Sequence, residues 1–351
     1  MSTSKRPSAR FWLPFWLLLA VAGVTLWAVS VHDAGEARAW RSLLVNFLFF
    51  TSLAGGMMVW PPLVATCNAR WHLNAERLAS AGIAFALPSL AALILLWATN
   101  GEWGPWRGIH YSQGSWLRPG FLFGRDLAAL ALFWGMGAYH LRRRREGEGE
   151  RLGTVLVLVY CLVFSLLGFD LVMALDPYWY SNLAGGYFFM SGLYIAITCW
   201  ALLAAQHPAA EPDLLHDLGK LMVAFSLMTT YLMYAHLLPF WYENLPREVR
   251  FVVPRLHGPQ WAPVSTFLLA LVYFGPLVLL LPIRAKRSRR ALGAISFLVL
   301  CGLWVERWWL VAPTFEQTPR LGLPELSLAA GFAGVLGLGM TWMRRGKGGR
   351  P

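Results

Sequence analysis

Ten separate apolar stretches, each long enough to cross the hydrocarbon core of a bilayer, constrain the fold of this chain more than any other feature. A helix rises 1.5 Å per residue, so about 20 apolar residues cross roughly 30 Å of hydrocarbon. The stretches, numbered span 1 to span 10, are residues 11–31, 42–66, 78–98, 121–140, 152–174, 183–205, 216–240, 262–283, 291–312 and 324–343. They predict an all-α integral membrane protein, because an α-helix satisfies its backbone hydrogen bonds internally when it lies in lipid.

Composition excludes the soluble alternatives. Of the 351 residues, 57% are hydrophobic and 14% are charged, whereas soluble domains have roughly 45–50% apolar and about 25% charged residues. The mean hydropathy is +0.49. The chain also has 19 Trp and 33 Gly, and Trp gathers at bilayer interfaces while Gly is common in membrane helices. An ordinary soluble enzyme, a disordered chain and a coiled coil are therefore excluded.

The net charge of +12 is explained by membrane topology, and nucleic acid is not an expected partner. With the N-terminus placed inside, twenty of the 30 Lys and Arg residues lie in inner segments, eight in outer loops and two within helices. This bias follows the positive-inside rule and predicts that both termini are inside. Span 1 is longer than the core of a signal peptide and no clear A-x-A cleavage site follows it, so we expect it to be retained.

A partial internal repeat divides the predicted helices into two groups. Residues 53–56 in span 2 and residues 183–186 in span 6 both read Leu-Ala-Gly-Gly, and each group has an Arg-rich inner loop. We therefore predict two four-helix bundles related by a parallel repeat, spans 2–5 and spans 6–9, flanked by spans 1 and 10. The corresponding divisions are 1–41 (inner tail and span 1), 42–174 (first bundle), 175–312 (second bundle) and 313–351 (span 10 and basic inner tail).

Polar side chains inside the spans indicate where function lies, because a charge at mid-bilayer costs about 2.5–3.5 kcal/mol on insertion scales. Nearly all of them fall near the predicted outer side: Asn46, Arg125, Asp126, Asp170, His236, Glu306 and Arg307, with Asp176 just beyond the end of span 5. A long arginine side chain can snorkel to the headgroups, whereas the short carboxylate of Asp170 cannot. Asp170 is therefore the stronger functional candidate.

Glu306 and Arg307 are consecutive residues of span 9. Because consecutive residues of a helix point about 100° apart, we expect each of them to take its main partner from another helix. The expected ion pairs join either arginine, Arg125 or Arg307, to either carboxylate, Asp170 or Glu306.

Span 7 has a polar stripe that begins at its predicted inner end. Four side chains lie within about 40° of one helix face: His216, Lys220, Tyr231 and Tyr234. Ionisable groups inside a membrane can form a proton relay, whereas Lys and Tyr near a helix end can also serve only as interfacial anchors. A relay would have to cross an apolar gap at Ala224 and Leu227, and His236 lies on the opposite face.

The sequence has no signature of a bound metal or redox cofactor. Its four cysteines form no C-x-x-C pair, so neither an iron–sulfur cluster nor an attached haem is predicted. A b-type haem would need two facing histidines at one depth, and His140 with His216 is a weak pair. We therefore expect any redox role to depend on partner subunits.

Three stretches resemble the NrfD/polysulfide-reductase-type membrane subunits, and within that group the ActF-type subunit of bacterial alternative complex III, a quinol:electron-acceptor oxidoreductase. The stretches are 168–186, with Gly-Phe-Asp at its start and Asp176-Pro-Tyr-Trp-Tyr-Ser before Gly-Gly; 216–220, His-Asp-Leu-Gly-Lys; and 241–248, Trp-Tyr-Glu-Asn-Leu-Pro-Arg-Glu. Together with the ten spans, the resemblance covers about residues 10–343.

The resemblance implies a subunit of a quinol-oxidising respiratory complex in the bacterial inner (cytoplasmic) membrane, with both termini cytoplasmic. Quinol would be oxidised mainly at a sister NrfD-like subunit beside an iron–sulfur subunit, and multihaem cytochrome c subunits would be further partners. This chain would bind no haem or iron–sulfur cluster, quinone being its one candidate cofactor. It would be the paired bundle that carries protons through half-channels.

The resemblance also implies the residues of that proton path. The outer side maps to Asp170, Asp176, Glu306 and Arg307, and the inner side to His216, Asp217 and Lys220, with Tyr231 and Tyr234 continuing along span 7. His236 departs from the family pattern, in which an uncharged residue such as Gln is expected. It would extend the outer path or replace that residue as a neutral hydrogen-bonding group.

Two other functions stay open from the sequence. The chain could itself hold a quinone in an outer pocket, with the candidate ligands Asn46, Arg125, Asp126, Asp170 and His236. It could instead be a purely structural scaffold for the sister subunit. A stand-alone transporter is less favoured, because no substrate signature accompanies the helices interrupted by Gly and Pro.

Overall fold

The computed structural model describes residues 9–33, 36–68, 75–106, 113–146, 150–243, 245 and 249–345, and every regular element within these ranges is helical. The spans are formed by helices Ala9–Asp33, Glu36–Thr66, Ala75–Ile83 with Ala86–Ala98, Pro119–Arg145, Glu150–Leu171, Ala184–Ala205, Pro212–Glu243, Ala262–Leu268 continued to Leu279, Arg289–Val311 and Leu323–Arg345. By length and composition, ten helices of the described ranges can cross a membrane. The predicted all-α, ten-span architecture of a multi-pass membrane protein is confirmed.

Spans 2 and 6 contact each other at the centre of the molecule. The most apolar part of span 2 is completely buried. Small residues allow this close approach, since a Cβ added at Gly56 would lie 2.5 Å from the Cβ of Ala196 and 2.9 Å from the carbonyl oxygen of Gly192. Trp60 Nε1 also donates to the Leu193 carbonyl at 3.0 Å, so the two helices are joined by both packing and hydrogen bonding.

The helix contacts define two sets of four spans, and within each set the contacts close into a ring. Span 2 contacts spans 3 and 5, and span 4 contacts the same two helices; span 6 contacts spans 7 and 9, and span 8 contacts those two. The Leu-Ala-Gly-Gly segments do not occupy equivalent places, because residues 53–56 lie mid-way along span 2 whereas residues 183–186 form the first turn of span 6. The repeated Leu-Ala-Gly-Gly sequence therefore does not mark structurally equivalent positions in spans 2 and 6.

Span 1 packs along span 10, which in turn contacts spans 2 and 3. The two backbones touch: a Cβ at Gly23 would lie 2.3 Å from the Gly331 nitrogen, and one at Gly334 would lie 2.4 Å from the Ala20 nitrogen. Without a hydrophobic driving force in lipid, such close van der Waals packing holds helices together. Spans 1 and 10 thus form one flanking pair.

Span 3, predicted as one continuous helix, is interrupted between Ile83 and Ala86. Pro88 explains the interruption, because it has no N–H for the Ala84 carbonyl and its ring would clash with that group. The short break leaves the span intact across the membrane.

Span 8 is interrupted by a π-helical segment, Leu269–Phe274, and its helix ends at Leu279. In an α-helix the Val272 carbonyl would accept a hydrogen bond from residue 276, but Pro276 has no N–H. The Val272 oxygen instead accepts from Tyr194 Oη of span 6 at 2.9 Å and from Ser226 Oγ of span 7 at 3.3 Å. Proline thus creates an unpaired carbonyl that two neighbouring helices satisfy.

Candidate functional site

A fully buried ion pair lies near the predicted outer end of span 9. Arg307 Nη1 is 2.9 Å from Glu306 Oε2, and both side chains are 0% exposed. Arg307 Nη2 donates to Ser191 Oγ of span 6 at 2.7 Å. The expectation that Glu306 and Arg307 each take their main partner from another helix is wrong. The arginine side chain is long enough to fold back to the preceding carboxylate while its second terminal nitrogen reaches span 6.

Two buried tyrosines extend this ion pair to spans 6 and 8. Tyr187 Oη donates to the Glu306 carboxylate and lies 2.7 Å from Tyr273 Oη. Because a phenol has one proton, Tyr273 must donate to the oxygen of Tyr187. Tyr273, Tyr187, Glu306, Arg307 and Ser191 therefore form one continuous hydrogen-bonded chain, the buried network, which joins three helices.

The π-helical segment of span 8 sets the position of Tyr273. Ser226 Oγ also donates to the Tyr273 carbonyl at 2.5 Å, so side chains of spans 6 and 7 bind the carbonyls of Val272 and Tyr273. Interruptions of this type occur frequently at functional sites. Tyr187, Tyr273 and Ser191 were absent from the predicted site residues. Pro276 in the middle of an apolar stretch is the sequence signal that could have indicated this region.

A second buried charge cluster joins spans 4 and 5. Arg125 Nε donates to Asp170 Oδ2 at 3.1 Å, and Nη2 donates to the same oxygen. Of the four ion pairs that the sequence left open, the one between Arg125 and Asp170 is therefore confirmed. The Asp126 carboxyl is 0% exposed and lies close to Asp170, and among the described residues neither of its oxygens has a hydrogen-bond partner. Asp170 is therefore the carboxylate that the arginine binds, while Asp126 is buried beside it. A proton held by the two carboxyl groups would relieve their repulsion.

Aromatic residues close the outer side of this second cluster. The Arg125 guanidinium lies 3.7 Å from the centroid of the Trp116 ring and 4.8 Å from that of Phe121. Stacking of this kind stabilises a cation by its interaction with the ring face. Trp116 is 47% exposed, so the cluster lies directly beneath the molecular surface.

The two charge clusters are separated by an apolar contact between spans 5 and 6. The Phe188 ring faces Arg307 at 4.6 Å, and a Cβ added at Gly168 would lie 2.6 Å from the Cβ of Phe188. Gly168 comes two residues before Asp170. Any larger residue at position 168 would therefore push the clusters apart.

Asn46 and His236 belong to neither cluster. Asn46 Oδ1 accepts from Trp304 Nε1 at 3.0 Å, and its Nδ2 donates to the Glu325 carbonyl at 3.1 Å, which ties span 2 to spans 9 and 10. His236 Nδ1 lies 2.9 Å from Ser181 Oγ. The five candidate quinone ligands are thus divided among three places, and only Arg125, Asp126 and Asp170 lie together.

The polar stripe of span 7 faces outward from the chain. Tyr231 and Tyr234 are 63% and 60% exposed. Lys220 is also exposed, and its Nζ lies 2.7 Å from Asp217 Oδ1. His216 is half-buried. The chain alone does not enclose this stripe, so it does not continue the buried network through the interior.

Asp176 and two arginines line a pocket of about 470 Å³ beyond the predicted outer ends of spans 5, 7 and 9. Arg250 Nε lies 3.4 Å from Asp176 Oδ2. Arg255 is 1% exposed; burial lowers its pKa to about 9, and the charge of Asp176 opposes that shift. Arg255 was counted only as an outer-loop charge in the sequence, which does not reveal that it is buried.

Within the described residues, no group of three or more His, Cys, Asp and Glu side chains could hold a metal ion. No protein-family model matches the chain, and no curated protein matches it. The fold is that of a multi-pass membrane protein with networks of charged side chains buried between its helices. Its function must therefore be inferred from those networks.

Proposed function

We propose that this chain is a membrane subunit of a quinol-oxidising respiratory complex similar to alternative complex III. In this proposal it provides a proton path and an assembly surface beside a sister quinol-binding subunit, in the bacterial inner membrane. Electrons pass through the haem and iron–sulfur groups of partner subunits. The observation that supports the proposal is the buried network, because ionisable groups inside a membrane mark proton and ion pathways.

The energetics of the buried network favour a functional role over simple stabilisation. Removing two charges from water costs several kcal/mol per ion, and a buried pair often contributes no more than apolar residues of the same volume. Glu306 and Arg307 are nevertheless both fully buried. The two tyrosine hydroxyls that lead to the Glu306 carboxylate supply the donors and acceptors along which a proton can move.

The two closed sets of helix contacts are proposed to be the two bundles of a parallel repeat. Each set contains one charge cluster: Arg125 with Asp170 in spans 4 and 5, and Glu306 with Arg307 in span 9. Under this proposal the clusters form the outer half of the path. The inner half, His216 to Tyr234, becomes enclosed when the exposed face of span 7 meets the sister subunit.

Purification from native membranes in a mild detergent tests the proposal. Subunit masses and an optical spectrum read together should reveal haem, iron–sulfur groups and a second NrfD-like chain. In the assembled complex, Glu306→Gln should strongly reduce proton release per electron, whereas Glu146→Gln, which removes an exposed carboxylate, should not. A colourless chain that purifies alone would overturn the respiratory proposal, and unchanged proton release in Glu306→Gln would favour a structural scaffold.

Quinone binding by this chain is the second candidate, favoured by the cluster of Arg125, Asp126 and Asp170 beneath Trp116. An arginine and a carboxyl can bind the two oxygens of a quinone headgroup, and an indole can pack on its ring. A photoreactive quinone should then label Trp116 or Phe121 in the complex. Labelling confined to the sister subunit would dismiss this candidate.

A further inference from the structure

The pocket around Asp176 has an unusual balance of charge and apolar surface. Its lining comprises Asp176, Val249, Arg250, Phe251, Val253, Pro254, Arg255, Pro313 and Thr314. Two arginines face one carboxylate, so the lining has a net charge of +1 at neutral pH. Most of its remaining residues are aliphatic, aromatic or proline. A ligand that fits this lining has one negative charge attached to an apolar body.

Arg255 lines this pocket and is held entirely by neutral acceptors. Its Nε donates to the Trp309 carbonyl at 3.2 Å, its Nη1 to the Phe251 carbonyl at 2.8 Å, and its Nη2 to the Leu310 carbonyl at 2.8 Å. Nη2 also donates to Thr314 Oγ1 at 3.0 Å. Among the described residues, no carboxylate lies within 4.0 Å of Arg255. A buried cation without a counterion is destabilising, and an incoming anion would relieve that cost.

Arg250 is placed to respond to such an anion. It is half exposed at the side chain, and its 3.4 Å distance to Asp176 exceeds the 2.7–2.9 Å of a strong charge-assisted hydrogen bond. The Arg250 guanidinium lies 5.0 Å from the centroid of the Tyr178 ring. A guanidinium held this loosely can turn to a phosphate, which arginine binds through two parallel hydrogen bonds.

We propose that this pocket binds the phosphate of an anionic phospholipid, with Arg250 and Arg255 as the phosphate-binding residues. The pocket is formed by residues 249–255 between spans 7 and 8, by residues 313 and 314 at the end of span 9, and by Asp176 beyond span 5. The ends of spans are where headgroups lie in a bilayer. Val253 is 45% exposed at its rim, so the glycerol and the first acyl carbons can pack there. A freely soluble phosphate has no apolar part to use these walls.

Native mass spectrometry of the full chain in detergent, with added phosphatidylglycerol or phosphatidylcholine, tests this proposal. We expect phosphatidylglycerol to be retained preferentially, and Arg250→Gln to weaken its binding by about tenfold to a hundredfold, because a hydrogen bond to a charged group contributes about 1.5–3 kcal/mol. Val253→Trp, which fills the rim, should weaken binding without removing charge. Arg118→Gln, which removes an exposed arginine outside the pocket, is the matched control.

Three results would overturn the proposal. One is equal retention of phosphatidylglycerol by the native chain, Arg250→Gln and Val253→Trp. Another is an equal loss in Arg118→Gln, which would indicate only a general attraction to a basic surface. The third is displacement of the lipid by inorganic phosphate at equal concentration, with the same sensitivity to Arg250→Gln. That result would assign the pocket to a soluble anion.

Discussion

The hydroxyl of Tyr187 lies 2.7 Å from the hydroxyl of Tyr273 while donating its own proton to Glu306. Span 6 thereby joins the π-helical segment of span 8 to the ion pair of span 9. Because each hydroxyl has one proton, the direction of donation along this chain is fixed from Tyr273 towards Glu306. Reversing it would require Glu306 to gain a proton, either directly or by transfer from Tyr273 through Tyr187.

The two tyrosines should contribute unequally to stability. Tyr187→Phe removes a donor to a buried carboxylate, and we expect it to lower the free energy of unfolding by about 1–3 kcal/mol. Tyr273→Phe removes only a bond between neutral hydroxyls and should lower it by about 0.5–1.5 kcal/mol. Unfolding in mixed detergent micelles would measure both. A larger effect for Tyr273→Phe would contradict the assigned direction of donation.

Glu306 and Arg307 should be strongly coupled. Removing either charge leaves its partner buried and uncompensated, so Glu306→Gln and Arg307→Gln should each lower the free energy of unfolding by about 3–5 kcal/mol. The double variant should lose much less than the sum of the two. The exposed pair of Arg143 and Glu146 provides the matched control, since such pairs contribute only about 0.2–1 kcal/mol. Additive effects at 306 and 307 would disprove the coupling.

Glu316, in the outer segment between spans 9 and 10, should make stability depend on pH. Burial raises the pKa of its carboxyl above the ordinary value, and the neighbouring Arg38 only partly opposes that shift. The folded chain therefore holds this proton more tightly than the unfolded chain, and stability falls as pH rises from the unfolded pKa through the raised folded pKa.

The matched variant for this pH effect is Glu316→Gln, which stays neutral. The native chain and the variant should be similarly stable at pH 4, and the native chain should become the less stable of the two towards neutral pH. Thermal melting of both proteins over this pH range would measure the difference. A difference that is constant with pH, or of opposite sign, would refute the assignment.

The contact between spans 1 and 10 should tolerate no added methyl group. A Cβ at Gly334 would lie 2.4 Å from the Ala20 backbone nitrogen, so we expect Gly334→Ala to destabilise the protein by about 1–3 kcal/mol through overpacking. Gly135 in span 4 is the control, because within the described residues nothing lies within 4 Å of its added Cβ. Gly135→Ala should be neutral or stabilising by about 0.5–1 kcal/mol. Equal melting temperatures for the two variants would contradict this packing.

The sequence predicts the spans because their signal is local. A run of about 20 apolar residues is sufficient to identify each helix, and prolines explain the two interruptions once the structure is known. Partner choice is harder to predict. The pair of Arg125 with Asp170 was one of four that two arginines and two carboxylates at one predicted depth allowed. Glu306 and Arg307 were separated by an argument about helix direction that overlooks the length of an arginine side chain.

The residues that the sequence analysis missed are polar groups that no pattern in the neighbouring sequence identifies. Tyr187 and Tyr273 are ordinary aromatic residues of apolar helices, and only the meeting of spans 6, 8 and 9 brings their hydroxyls together. Arg255 lies in a segment between spans, where an exposed charge is the natural expectation. Its burial depends on carbonyls at the end of span 9, 54 and 55 residues later in the chain.

Pro276 has a consequence for the order in which the helices are assembled. Span 8 cannot satisfy the Val272 carbonyl by itself, and in hydrocarbon an unsatisfied carbonyl costs several kcal/mol. The two side chains that satisfy it, Tyr194 and Ser226, lie in spans 6 and 7. Ribosomal synthesis produces both of those helices first. Span 8 therefore enters a membrane in which its hydrogen-bond donors are already present, and its insertion is completed by docking on helices that precede it.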